Sequence, residues 1–93
     1  MSVKILIPTP LRPYAGKEAA VQLDARTVGD ALELLVGRFT ALRQHLFSDD
    51  GRLRSFVNIY VNDEDIRSLQ KEKTPLHEGD TISIIPSIAG GAA

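Results

Sequence analysis

Cysteine is missing from this sequence altogether. Disulfides, thiolate nucleophiles and thiolate metal ligands are therefore excluded together. Tryptophan is also absent and aromatic residues make up only 5%. Neither sign of charge prevails: 11 Lys and Arg stand against 12 Asp and Glu, a formal net charge of −1. That balance speaks against a nucleic-acid surface and against attraction to an anionic membrane. No apolar run approaches the ~18 residues of a spanning helix. The opening Met1-Ser2-Val3-Lys4-Ile5-Leu6-Ile7 lacks the layout of a signal peptide, because Lys4 interrupts the apolar stretch and Pro8 ends it. The expected location is the cytoplasm. With 93 residues there is room for one core. A domain of this size buries roughly 60–65% of its unfolded surface, too little for a deep enclosed active site.

What is present is an ordinary globular composition, 43% hydrophobic and 25% charged. Val3, Ile5 and Ile7 alternate with Lys4 and Leu6, a strand ended by Pro8. Residues 9–16 form a Pro/Gly-rich loop, and Glu18 to Leu23 is a second strand that can pair with the first as a hairpin. Thr27 is a helix cap with Asp30 three residues on. Val28, Ala31, Leu32, Leu35, Val36 and Phe39 then recur at helical spacing. Ala41 to Phe47 reads as a further short helix anchored by Leu42 and Leu46. Residues 48–51 are a turn. Phe56 to Asn62 is the clearest strand, Asp63-Glu64-Asp65 turns the chain, and Ile66 to Leu76 is largely irregular. Glu78-Gly79-Asp80 turns again into a last strand, Thr81 to Ile85.

One wide apolar helical stripe must cover one face of a small mixed sheet. With a right-handed crossover that sets the last strand beside the first, the expected fold is α+β, a ubiquitin-like β-grasp with one main helix and a second short one. Residues 1–88 form the domain and residues 89–93 a flexible tail. If Val3, Ile5, Ile7, Val57, Ile59, Val61, Ile82 and Ile84 face the helix, then Leu6, Phe56, Tyr60 and Ile85 face away from it. They form a candidate partner-binding patch, with Ile88 just beyond the last strand, unless the long loop or the short helix covers them.

Nothing inside the domain reads as catalytic. His45 and His77 are far apart and in no ligand spacing, so no metal site is expected. The acidic runs 49–50 and 63–65 do not fit a calcium loop and read as solvated turns. Arg52 and Arg54 read as surface charges. The chemistry points to Ala89-Gly90-Gly91-Ala92-Ala93. As a frayed terminus it would mean little. Two residues without Cβ, however, make a narrow strand of backbone that passes through a tight channel into another enzyme's active site. A glycine carboxylate is also unhindered toward activation by ATP as an acyl-adenylate and toward attack by a sulfur or nitrogen nucleophile.

The element order and this tail resemble the ThiS/MoaD family of ubiquitin-like sulfur carriers. Within that family, "IPTPLRPYAG", "FVNIYVNDEDIR" and "IIPSIAGG" resemble the CysO-like branch, which serves cysteine synthesis. The likeness spans nearly the whole chain. It implies a carrier and not an enzyme, with no bound cofactor; ATP is used by a MoeB/ThiF-like activating enzyme. It places the adenylate and then the thiocarboxylate on Gly91, with Gly90 as the slim residue before it. The sequence departs from the family pattern at Ala92-Ala93. Some relatives with such an extension are trimmed by a JAMM-type metalloprotease, so cleavage between Gly91 and Ala92 is expected. By resemblance the sulfur goes to cysteine or homocysteine synthesis through a PLP-dependent sulfhydrylase or another acceptor enzyme. Transfer to molybdopterin or thiazole remains open. So do a protein modifier that ends in an isopeptide through Gly91 and a non-carrier module that docks through its sheet.

Overall fold

The computed structural model describes residues 2–86. Ile88, Gly90, Gly91, Ala92 and Ala93 lie outside the described residues, as does the expected boundary between domain and tail. Five strands form one sheet: β1 (Ser2–Leu6), β2 (Ala20–Asp24), β3 (Val57–Val61), β4 (Glu64–Asp65) and β5 (Thr81–Pro86), in the order β2-β1-β5-β3-β4. β1 pairs parallel with β5 and antiparallel with β2, and β3 is antiparallel to both β5 and β4. The sheet is therefore mixed, with the last strand beside the first. This is the β-grasp arrangement.

Helix α1 (Val28–Arg38) starts as the sequence implies. The Thr27 side chain accepts the Asp30 N–H at 3.1 Å, and the Asp30 carboxylate accepts the Arg26 N–H at 3.2 Å. The first closes an orphan donor of the first turn, and the second ties the residue before the cap to the helix. Val28, Ala31, Leu32, Leu35 and Val36 are buried against the sheet residues Val3, Ile5, Ile59, Ile82 and Ile84 in one core. Phe39 caps the helix and packs against this core only in part. The expected second helix is a 3-10 turn, Thr40–Leu42, running into the one-turn helix α2 (Arg43–Leu46), with Leu42 and Leu46 buried.

Three local readings change. Residues 9–14 wind into a 3-10 helix, where the sequence reads as plain loop. Its Leu11 and the following Ala15 enter the core because the prolines fix a tight course and leave few other apolar side chains to anchor it. The turn after β3 is Asn62-Asp63, not 63–65. Both residues have positive φ (48° and 74°), the backbone of a tight two-residue hairpin, so Glu64 and Asp65 pair with Val61 and Tyr60. Residues 66–76 hold two 3-10 turns, Ile66–Ser68 and Lys71–Lys73, with Ile66, Thr74 and Leu76 buried.

Candidate functional site

Alternation along the strands leaves one face of the sheet without a helix. Across it, Leu6 pairs with Ser83, Ser83 with Tyr60, and Tyr60 with Asp65, one row over four strands. One step along, Ile85 pairs with Asn58. Leu6 is 40% exposed and Ile85 48%, while Tyr60 is half-buried. The Pro-rich loop does not cover them. Its Tyr14 ring instead stacks on His45 of α2, centroids 4.1 Å apart, and a Cβ on Gly16 would come within 3.2 Å of Phe39 at the end of α1.

Phe56 is the exception among the expected patch residues. It is exposed, but it sits in the turn before β3 and not on the strand. The Val57 N–H is taken by the Arg54 carbonyl at 3.0 Å, which bends the chain just where pairing with β5 begins. Phe56 thus stands at the rim of the face. Pro86, the last described residue, pairs with Val57. The sequence toward Ile88, Gly90 and Gly91 continues from this same end of the sheet.

The β4 edge carries Arg67, which the sequence reading passed over, and Asp65, which it took for part of a solvated turn. Asp65 caps the 3-10 turn after β4 by accepting the Arg67 N–H at 2.8 Å, and it grips the Arg67 guanidinium through Nη2 at 2.8 Å and Nε at 3.2 Å. Arg67 Nη2 also donates to Asn58 Oδ1. The guanidinium hydrogen bond, followed by the backbone N–H of Arg67, holds the Asp65 carboxyl below its usual range, and the same pairing raises Arg67. The signal was present as Asp-Ile-Arg, an acid at a turn start with an arginine two residues on. Without the hairpin register nothing placed it beside Tyr60.

The start of β5 is fixed by a second polar cluster. The Asn62 side chain donates to Asp80 Oδ1 at 2.8 Å and accepts the Thr81 N–H at 3.0 Å, and Asp80 Oδ2 accepts the His77 N–H at 2.8 Å. The His77 backbone bond is the main reason that the Asp80 carboxyl titrates below its usual range. His45 and His77 are not brought together into a site: one stacks on Tyr14 and the other flanks the 77–80 turn. Among the described residues no cluster of His, Asp and Glu fits a metal ion, and no helix is long and apolar enough to cross a membrane.

A five-stranded β-grasp sheet with the main helix on one face and an apolar patch on the other defines a ubiquitin-like protein. The ThiS family model matches residues 5–91. Sulfur carrier protein CysO of Mycobacterium tuberculosis is 39% identical over 93 residues, covering 98% of this chain and 100% of the relative. A chain of the Amycolatopsis orientalis BexX/CysO complex superposes with TM-score 0.86 at 35% identity, over 96% of this chain and 99% of that one. SAMP1 from Haloferax volcanii superposes at 0.84 with 32% identity, over 98% of this chain and 100% of its own. The chain belongs to the ThiS family and is a sulfur carrier protein of the ThiS/CysO type, a carrier and not an enzyme.

Proposed function

We propose that this chain is the precursor of a carrier whose working end is Gly91. Because Ala92 follows Gly91, hydrolysis of the Gly91–Ala92 peptide bond, by a JAMM-type metalloprotease, must come before any chemistry on the Gly91 carboxylate. That carboxylate then attacks the α-phosphorus of ATP on a MoeB/ThiF-like activating enzyme and releases pyrophosphate. A sulfur nucleophile attacks the acyl carbon and expels AMP, leaving the thiocarboxylate. The sulfur passes to an acceptor enzyme of amino-acid synthesis, for cysteine or homocysteine. The supporting observation is the match to CysO over 98% of this chain and to the ThiS family model through Gly91, together with an apolar face that includes Ile85 near the end of β5. On this reading Leu6, Tyr60, Ile85 and Phe56 seat the activating enzyme, with Ile88 following Ile85 closely in sequence.

Intact-protein mass spectrometry tests it. With activating enzyme, ATP and a sulfide source, the form ending at Gly91 gains the mass difference between sulfur and oxygen, on Gly91. The chain ending at Ala93 does not. Equal thiocarboxylation of both forms would overturn the precursor reading.

A second reading is favoured by one observation. A relative named small archaeal modifier protein 1, from Haloferax volcanii, is 40% identical over 65 residues. The same adenylate on Gly91 would then be attacked by a lysine amine, and the product would be an isopeptide-linked conjugate. Conjugates carrying a Gly91 remnant on lysine after tryptic digestion would establish it.

A further inference from the structure

The open face is not uniformly apolar: alternation puts Lys4 of β1, Asp24 of β2 and Asp65 of β4 on it beside Leu6 and Tyr60. Asp65 is the acid in register with Tyr60, and its carboxylate is occupied by Arg67. The guanidinium has five N–H donors. Nε and Nη2 are committed to Asp65 and Asn58, and among the described residues nothing accepts from Nη1. The fork is therefore held rigid on one side and left open on the other, next to Tyr60. On the far side of Leu6, two residues back along β1, Lys4 stands on the same face and forms no ion pair among the described residues. The apolar centre of Leu6, Tyr60 and Ile85 thus has the open edge of the Arg67 guanidinium on one side and Lys4 on the other, with Asp24 beyond Lys4 on β2.

We propose that Arg67 is a specificity-determining residue of this face. Its Nη1 edge pairs with a carboxylate on the activating enzyme, while Lys4 adds a second, looser attraction to acidic side chains at the opposite rim. The occupant is thus a protein surface with an apolar centre flanked by carboxylates. Asp65 and Asn58 are positioning residues: they fix the guanidinium plane before binding, so less side-chain freedom is lost on contact. This rests on the carrier reading above, and it adds the chemistry of the partner's surface.

The test is pyrophosphate exchange driven by the activating enzyme, with the chain ending at Gly91 as the varied substrate. Arg67→Glu is expected to raise KM about tenfold with little change in kcat, since a rim charge acts on encounter and docking and not on the acyl transfer. Arg67→Lys, which keeps the charge but not the fork, should fall between. The wild-type KM should rise with salt, and the Arg67→Glu KM should rise much less. Arg38→Glu, at the end of α1 away from this face, controls for net charge, and circular dichroism confirms that each variant is folded. A folded Arg67→Glu or Arg67→Ala chain with wild-type KM and wild-type salt dependence overturns the inference and leaves the carrier reading intact. A wild-type chain that is never adenylated overturns both.

Discussion

Leu6 and Tyr60 lie on opposite sides of Ser83, both in register with it, so two apolar side chains from distant parts of the sequence share one uncovered face. Ile85, two residues beyond Ser83 on β5, extends the apolar area toward the tail.

Ile85→Glu should separate binding from folding. The side chain is already 48% exposed, so the thermal midpoint should change by no more than about 0.5 kcal/mol equivalent. Binding to the activating enzyme, measured by calorimetry, should weaken by at least ~1–2 kcal/mol if the residue is an anchor. Tyr60→Asp should follow the same pattern with a somewhat larger stability cost, because Tyr60 is half-buried.

The core beneath is expected to behave in the opposite way. Leu35 is fully buried against the sheet. Leu35→Ala should cost about 2–5 kcal/mol in urea denaturation, from lost burial and the cavity left behind.

Removal of residues 89–93 should leave stability unchanged within about 0.5 kcal/mol, since the described residues already form a closed core. A large drop in thermal midpoint on truncation would show that the tail docks on the domain.

The Asp80 carboxyl, held below its usual range by the His77 N–H and by Asn62, makes the fold acid-sensitive at one place. A group whose folded pKa is depressed contributes stability that is present above its unfolded pKa and lost as pH falls through the folded value. The contribution should be complete at neutral pH and fade from about pH 4 downward. Asp80→Asn should lower the denaturation midpoint at pH 7 and flatten its decline below about pH 4. An acid limb identical to wild type would place the sensitivity elsewhere.

Gly91→Val should block trimming, activation or both, because a branched Cβ crowds the scissile or adenylated carbonyl. Incubation with the metalloprotease and then with activating enzyme and ATP, followed by mass spectrometry, tells which step fails.

Local patterning in the sequence determined most of the elements of this protein. Period-two alternation around Val3–Ile7, Val57–Val61 and Thr81–Ile85, and the Thr27-capped stripe from Val28 to Val36, are carried by neighbours a few residues apart, and each survives in the fold. The split between a helix-facing and an open side of the sheet follows from the same alternation. Likewise, the family resemblance was legible in three short stretches and the Gly90-Gly91 pair.

Tertiary structure decided the rest. Whether the Pro-rich loop covers the open face depended on where Tyr14 and Leu11 find partners, and these are on the helical side, around His45 and the core. Phe56 lies outside the strand, in the turn closed by the Val57 N–H donating to the Arg54 carbonyl. The Arg67 rim exists only because two left-handed residues, Asn62 and Asp63, set a tight hairpin that brings Asp65 opposite Tyr60. Register and long-range pairing fix such contacts. They are sums of many weak interactions between residues far apart in sequence, which a local pattern does not encode.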